Sequence, residues 1–77
     1  MDLPEVKIAA EDGGLPLPQA LKQAHLTAST SEAIRMIEQG GVKLDGERVS
    51  DRGFKLAKGT VAVAQVGKRK FARITVV

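Results

Sequence analysis

The sequence predicts an α+β fold, in which two short helices pack on one side of a small antiparallel sheet made of two hairpins. Apolar residues recur at helical spacing in residues 15–26 and again in residues 29–39. Apolar and polar residues alternate on both sides of an Asp-Gly pair in residues 42–49, and the alternation returns in residues 59–77. Two helices followed by two hairpins are typical of the α+β class.

The chain of 77 residues is long enough for one domain. Residues 1–14 are predicted to be a linker or lead-in, and residues 15–77 to be the domain itself. Within the lead-in, residues 6–8 have the composition of a short strand, and the Glu-Asp-Gly-Gly run at residues 11–14 predicts a flexible break.

The first helix is predicted over Leu15 to Leu26. Leu17, Leu21 and Ala24 form one apolar stripe at i, i+4 and i+7. Pro18 is expected in the first turn, where its missing N–H costs little.

The second helix has a clear start and a clear end in the sequence. Ser29 is predicted to be the N-cap of a capping box, with Glu32 as the residue that reaches back to it. Gly40 and Gly41 are expected to end the helix through a left-handed C-terminal cap.

The first hairpin is predicted in residues 42–49, around a type I′ turn at Asp45-Gly46. In this register Lys43 lies opposite Arg48, and like charges directly across a ladder are mildly destabilising. Two interpretations remain open at this point: both side chains extend into water, or a phosphate lies between them.

The second hairpin is predicted in residues 59–77, with Gly67-Lys68-Arg69-Lys70 as its connection. Three consecutive cations in a flexible loop suit contacts with phosphate groups, which contribute affinity and little sequence information. The alternative is a cationic loop that only keeps the protein soluble.

Charge is segregated along the chain. All nine acidic residues lie between Asp2 and Asp51, and residues 52–77 contain seven basic residues and no acidic one. The first 51 residues, with five basic side chains, therefore have a formal charge of −4, and the last 26 have +7. A solvated basic face is the ordinary explanation, but such complete segregation more often indicates a polyanionic partner.

The composition excludes several kinds of site. Without cysteine and with His25 as the single histidine, the chain offers neither a disulfide nor a zinc site, and no metal is expected. Two Phe and no Tyr or Trp argue against a base-stacking platform of several rings. The absence of a Gly-x-Ser-x-Gly or Walker-type motif predicts that this chain catalyses nothing.

Localisation is predicted from two further absences. No apolar run approaches the roughly 20 residues that cross a bilayer, and the acidic, proline-containing N-terminus does not resemble a signal peptide. We therefore expect a cytoplasmic protein without a membrane partner.

Two segments carry a resemblance to a known family. Residues 29–49, with their Ser cap, Glu-Ala pair, Gly-Gly end and Val-x-Leu-Asp-Gly hairpin, resemble the ribosomal-protein-S-four-like RNA-binding module. Residues 65–74 (Gln-Val-Gly-Lys-Arg-Lys-Phe-Ala-Arg-Ile) resemble the closing hairpin of that module at the C-terminus of bacterial tyrosyl-tRNA synthetases, and the Leu-Pro-Leu at residues 15–17 is similar to theirs.

This resemblance implies a module that binds tRNA, and tRNA(Tyr) in particular, near the anticodon stem and the long variable arm. It also implies a parent ligase that uses ATP and tyrosine in a separate catalytic domain, so no cofactor is expected here. An isolated domain of this kind is expected to be a monomer, and its parent a homodimer.

The sequence departs from the family pattern at three positions. Thr30 stands where Lys or Arg is common, Ile34 replaces the first Arg of the usual pair, and Asp45 replaces the turn Asn, while Arg35 keeps the second Arg. The helix surface has therefore lost two cations, and the expected interface shifts toward the C-terminal hairpin. The predicted RNA-binding residues are Ser29, Thr30, Ser31, Arg35, Lys43, Arg48, Lys68, Arg69, Lys70 and Arg73.

Two alternatives stay open at the level of sequence. Similar modules occur in pseudouridine synthases, RNA methyltransferases and a heat-shock ribosome-binding protein, often N-terminal to the enzyme, whereas this sequence ends on a predicted strand. A domain that binds another protein and no RNA is the alternative from a different class. The segregated charge and the scarcity of aromatic residues speak against it.

Overall fold

The computed structural model describes residues 3–77. Its elements follow one another in the order β1 (Glu5–Ile8), β2 (Leu15–Pro16), α1 (Leu17–Gln23), α2 (Thr30–Glu38), β3 (Val42–Leu44), β4 (Glu47–Arg48), β5 (Lys55–Leu56), β6 (Val61–Val66) and β7 (Lys70–Val76). The predicted α+β class is confirmed.

The main sheet has five strands in the order β1-β7-β6-β3-β4, and both helices lie on one face of it. Every pairing within it is antiparallel except that of β1 with β7, which is parallel. The sheet is therefore mixed, whereas the sequence predicted an antiparallel sheet of two hairpins. A parallel partner needs a long crossover connection, which no local turn signal reveals.

Strand β1 lies inside the predicted lead-in and is an edge strand of this sheet. Its register runs from Glu5 opposite Arg73 to Ile8 opposite Val76, and Ile8 is buried. Met1 and Asp2, which begin that lead-in, lie outside the described residues, and a linker role for residues 1–14 stays a prediction.

Helix α1 is shorter than predicted at both ends. A helix that began at Leu15 would need the first intrahelical N–H from Pro18, which has none. Leu15 and Pro16 instead form β2, which pairs with β5 in a separate two-stranded sheet. At the other end His25 adopts φ 61° and its N–H donates to Lys22 O, which ends the helix three residues before Leu26.

Helix α2 has the predicted Ser29 N-cap and glycine C-cap, but among residues 3–77 the Glu32 side chain makes no hydrogen bond back to Ser29, so the capping box is only half formed. The Ser29 hydroxyl accepts a hydrogen bond from the Glu32 N–H at 3.1 Å. At the C-terminus Gly40 has φ 76°, and the N–H groups of Gly40 and Gly41 donate to Ile37 O and Met36 O. This is the double hydrogen-bond pattern of a Schellman cap, which needs the left-handed backbone that glycine adopts freely.

Both predicted hairpins are present, and the register of the first is as expected. Asp45 and Gly46 both have positive φ, as a type I′ turn requires, and Lys43 lies opposite Arg48. Strand β3 also pairs with β6, which places the first hairpin beside the second.

The core lies between the two helices and the inner face of the main sheet. The side chains that are almost completely buried there are Leu17, Leu21, Ile37, Val42, Ile74 and Val76. No helix among residues 3–77 is long and apolar enough to cross a membrane.

Candidate nucleic-acid interface

The cationic turn between β6 and β7 is anchored to the body of the domain. The N–H of Gly67 donates to Gly41 O at 2.8 Å, just after the C-terminal cap of α2. The side-chain amide of Gln65 donates to Gly67 O at 2.9 Å. These two bonds fix the base of the turn, so that Lys68, Arg69 and Lys70 extend from a defined position.

The anchored turn faces the exposed side of α2. A cavity of about 380 Å³ lies between them, lined by Glu32 and Met36 of the helix, by Val66 and by residues 67–70. Met36 closes its floor near Gly41, since a methyl group on Gly41 would lie 2.7 Å from Met36 Cε. The turn and the helix therefore form two walls of one groove.

A second cavity extends this groove toward the end of α1. It measures about 530 Å³ and is lined by Lys22, His25, Thr27, Ala28, Glu32 and Lys70. Glu32 and Lys70 line both cavities, so the two adjoin each other. We call the combined surface the α2 groove.

The α2 groove is cationic. Lys22, Lys68, Arg69 and Lys70 line it, and none has an ion-pair partner among residues 3–77, where the ion pairs are those of Arg52 with Glu38 and of Arg73 with Glu5. Glu32 is the acidic residue of the lining. An open groove with free ammonium and guanidinium groups suits phosphate oxygens, which accept charge-assisted hydrogen bonds.

Lys22 and His25 belong to this groove although the sequence analysis did not place them in the site. Neither residue carries a local signal of its role, because the groove forms only when the β6–β7 turn packs beside the α1–α2 connection. A search for cations outside the apolar stripe of α1 would have found Lys22.

The predicted polar residues at the start of α2 differ in whether their donors and acceptors are already hydrogen-bonded within the protein. The Ser29 hydroxyl is already engaged by the Glu32 N–H, and the Thr27 hydroxyl donates to Ser29 O at 3.0 Å. Thr30 and Ser31 form the first turn, where backbone N–H groups point out of the helix. Arg35 is exposed one turn further along the same helix.

Lys43 and Arg48 lie elsewhere, on the sheet face that the helices leave uncovered. They are direct neighbours across β3 and β4, and both are exposed. Both the aliphatic part and the guanidinium of Arg48 lie close to Gly40, since a methyl group on Gly40 would lie 3.2 Å from Arg48 Cδ and 3.5 Å from its Nη1. The α2 groove therefore does not include them.

Arg73 lies on this uncovered face as well. Its guanidinium donates to the Glu5 carboxylate at 2.7 Å, in register with the β1–β7 pairing. The predicted set is thus divided between two surfaces: residues 29–31, Arg35 and residues 68–70 near α2, and Lys43, Arg48 and Arg73 on the sheet. Contact of any of them with RNA stays a prediction.

The part of the chain that contains the two helices and the first hairpin matches a known protein family. Residues 15–61 match the S4 domain family. This chain belongs to the S4 domain family. The match covers β2, α1, α2, β3, β4 and β5, and it ends at the start of β6, before the cationic turn.

Relatives of this S4 domain include larger proteins. It is 63% identical over 76 residues to a tyrosine–tRNA ligase of Thiobacillus denitrificans, covering 99% of this chain and 19% of that protein. It is 63% identical over 75 residues to a tyrosine–tRNA ligase of Nitrosospira multiformis (97% and 19%) and 57% identical over 76 residues to that of Shewanella oneidensis (99% and 19%). The chain thus spans about a fifth of the length of these relatives, and the similarity includes the cationic turn.

Proposed function

We propose that this S4 domain is the tRNA-binding part of a tyrosine–tRNA ligase and that it binds tRNA(Tyr) in the α2 groove. The observation that carries the proposal is the groove itself, where four basic side chains without ion-pair partners among residues 3–77 line two adjoining cavities. The relatives' names supply the class of RNA.

The chemistry of the groove suits the backbone of RNA. Lys68, Arg69 and Lys70 on one wall and Lys22 on the other offer ammonium and guanidinium groups to the phosphates of one strand. Such contacts fix the position of the nucleic acid and give affinity, without reading sequence. Backbone N–H groups at Thr30 and Ser31 add further donors at a helix N-terminus that favours anions.

In this proposal the domain orients the tRNA and raises its affinity, while the rest of the parent protein performs aminoacylation. ATP and tyrosine bind in that other part. The domain forms the C-terminal end of a cytoplasmic, homodimeric ligase, and alone it is a monomer.

A charge-reversal variant tests the proposal. Replacement of Lys68, Arg69 and Lys70 by Glu is expected to weaken tRNA(Tyr) binding by about a hundredfold or more, because like charges across an interface cost several kcal/mol. Binding is measured by fluorescence anisotropy with labelled tRNA(Tyr), and an unchanged thermal transition shows that the variant remains folded.

A control variant with the same change in net charge separates the groove from the general charge of the domain. Arg52, Lys55 and Lys58 lie outside the groove, and their replacement by Glu is expected to leave most of the affinity. Equal losses in the two variants, or unchanged binding in the first, would contradict the assignment of the groove.

A further inference from the structure

The uncovered face of the main sheet carries side chains that the α2 groove does not use. Alternate residues of β6 and β7 point away from the helices, and among them Val61 is 56% exposed, and Val63 and Phe71 are partly exposed. Phe71 is one of only two aromatic residues in the chain. In RNA-binding proteins, an aromatic ring on an open sheet face typically stacks on a base.

Strand register places Phe71 at the end of a row that crosses the sheet. Phe71 lies opposite Gln65, Gln65 lies opposite Lys43, and Lys43 lies opposite Arg48. Directly paired residues share a face, so all four side chains stand on the uncovered side. At about 4.8 Å per strand the row is roughly 15 Å long, which about four stacked nucleotides span at roughly 3.4 Å each.

The charge of this row is uncompensated. Lys43 and Arg48 are direct neighbours of like charge, which destabilises the ladder, and among residues 3–77 neither has an ion-pair partner. Arg73 of the adjoining row is already paired with Glu5 at 2.7 Å. Within the described part of the chain, the unpaired cations of the face are therefore Lys43 and Arg48, at the opposite end of the row from the ring, and Lys7 on the edge strand β1.

The row also adjoins the α2 groove. The next pair toward the turn after Gln65 and Phe71 is that of Val66 with Lys70, and Lys70 is itself a lining residue of the groove. A strand of RNA that lies on the groove side of the turn can pass Lys68 and Arg69 and continue onto the row.

We propose that the row formed by Phe71, Gln65, Lys43 and Arg48 is a second RNA-binding site, which takes an unpaired segment of the RNA. One base stacks on Phe71, and the phosphates that follow it lie on Lys43 and Arg48. The proposal rests on the function proposed above and extends it from phosphates in a groove to an unpaired base on the sheet.

A protein partner fits this face less well. The apolar side chains on it are few, and charged residues of four strands surround them, whereas the cores of protein interfaces are depleted in charge. The unpaired cations of the row beside a single ring match a single-stranded nucleic acid better.

The test compares Phe71→Leu with Phe54→Leu. Leucine keeps apolar volume and removes the ring. Phe54, which is 37% exposed, is the matched control. It lies before β5 and outside the strands of the main sheet, and although it lines a cavity with Arg48 it is not a member of the row. The probes are a short oligouridylate and a blunt RNA duplex of equal length. F71L is expected to bind the single strand about five- to hundredfold more weakly and to bind the duplex as before, while F54L leaves both unchanged.

Two further measurements do not depend on the folding of F71L. The ring protons of Phe71 in the unaltered protein are expected to shift upfield in NMR spectra when oligouridylate is added, while those of Phe54 do not. Replacement of both Lys43 and Arg48 by Gln is expected to weaken single-strand binding and to keep the Phe71 shift at saturating RNA.

The outcomes separate this site from the groove. An unshifted Phe71 ring and unchanged oligouridylate binding in F71L, while the Lys68, Arg69 and Lys70 variant loses tRNA, would overturn the sheet site and retain the groove. A Phe71 shift with oligouridylate in a protein that does not bind tRNA(Tyr) would retain the site and overturn the tRNA assignment. Phe71 shifts that depend on protein concentration alone would show a contact between copies and overturn the proposal.

Discussion

Asp45 has two structural roles at the turn between β3 and β4. Its backbone adopts φ 51°, and its carboxylate accepts a hydrogen bond from the Val63 N–H at 2.9 Å while its own N–H donates to Val63 O. The side chain thus continues the pairing of β3 with β6 beyond the last ladder residue. The family's Asn has the same acceptor oxygen and tolerance of positive φ, so the departure from the family pattern leaves the turn intact.

Removal of this side chain is expected to destabilise the domain. Asp45→Ala loses the hydrogen bond and the tolerance of positive φ, and we expect its free energy of unfolding to fall by about 1–2 kcal/mol. Asp45→Asn is the matched control and should stay within about 0.5 kcal/mol of the original. Urea denaturation measures both, and an equal loss in the two variants would show that the carboxylate charge, not the acceptor, is what matters.

Gly14 and Gly46 allow a test of packing at matched backbone conformation. Gly14 has φ 95° and Gly46 has φ 86°. A methyl group on Gly14 would lie 2.9 Å from Leu56 O, whereas a methyl group on Gly46 would have no atom within 4 Å. Gly46→Ala is expected to cost about 1–2 kcal/mol of unfolding free energy from backbone strain. Gly14→Ala should cost about 1–3 kcal/mol more because the β2–β5 pairing must shift. Equal costs by thermal or urea unfolding would contradict the close approach.

The structural roles of some residues could be predicted from their neighbours in the sequence, whereas the roles of others could not. The Ser29 cap and the Asp45-Gly46 turn depend on neighbours within a few positions, so the sequence contains all the information that they require. The place of Lys22 in the groove depends on a turn more than forty residues away. Arg73 was predicted to bind RNA, but nothing local indicated that its guanidinium pairs with Glu5, which lies 68 residues earlier in the chain.

At the scale of elements, β1 also depends on a contact with a distant part of the chain that the sequence did not predict. Its composition predicted a strand, but nothing local indicated that it would pair in parallel with the last strand of the chain. Three backbone hydrogen bonds outside the ladder support the pairing: Arg73 N–H to Pro4 O, Val77 N–H to Ile8 O, and Ala10 N–H to Val77 O. The element that the sequence assigned to a lead-in thereby closes one edge of the sheet.

Ile8 is the residue through which β1 contributes to the core. It is 3% exposed, so Ile8→Ala is expected to lower the free energy of unfolding by about 2–5 kcal/mol. Lys7→Ala on the same strand points away from the core and should change stability by less than about 0.5 kcal/mol. Urea unfolding of the two variants measures the difference, and similar stabilities would mean that β1 does not dock on β7 in solution.

At the scale of the whole molecule, charge that is segregated in the sequence becomes distributed differently in space. The seven basic residues after position 51 do not form one patch: three lie on the β6–β7 turn, Arg73 pairs with Glu5, and Arg52 approaches Glu38 at 4.0 Å. Lys22, from the net-negative part of the chain, joins the turn in the α2 groove. The segregated charge in the sequence therefore predicted a polyanionic partner, but which cations lie together on one surface depends on the fold.

The salt dependence of tRNA binding measures how many of these cations contact phosphates. Each phosphate contact steepens the slope of log affinity against log salt concentration by about 0.7–0.9. Replacement of Lys68, Arg69 and Lys70 by Gln, which removes charge without reversing it, is therefore expected to reduce the slope by about 2–3. The same change at Arg52, Lys55 and Lys58 should leave it within about 0.5, because those residues lie outside the groove. Equal reductions would show that tRNA responds to the net charge of the domain, whereas a reduction confined to the turn places three phosphates along the α2 groove.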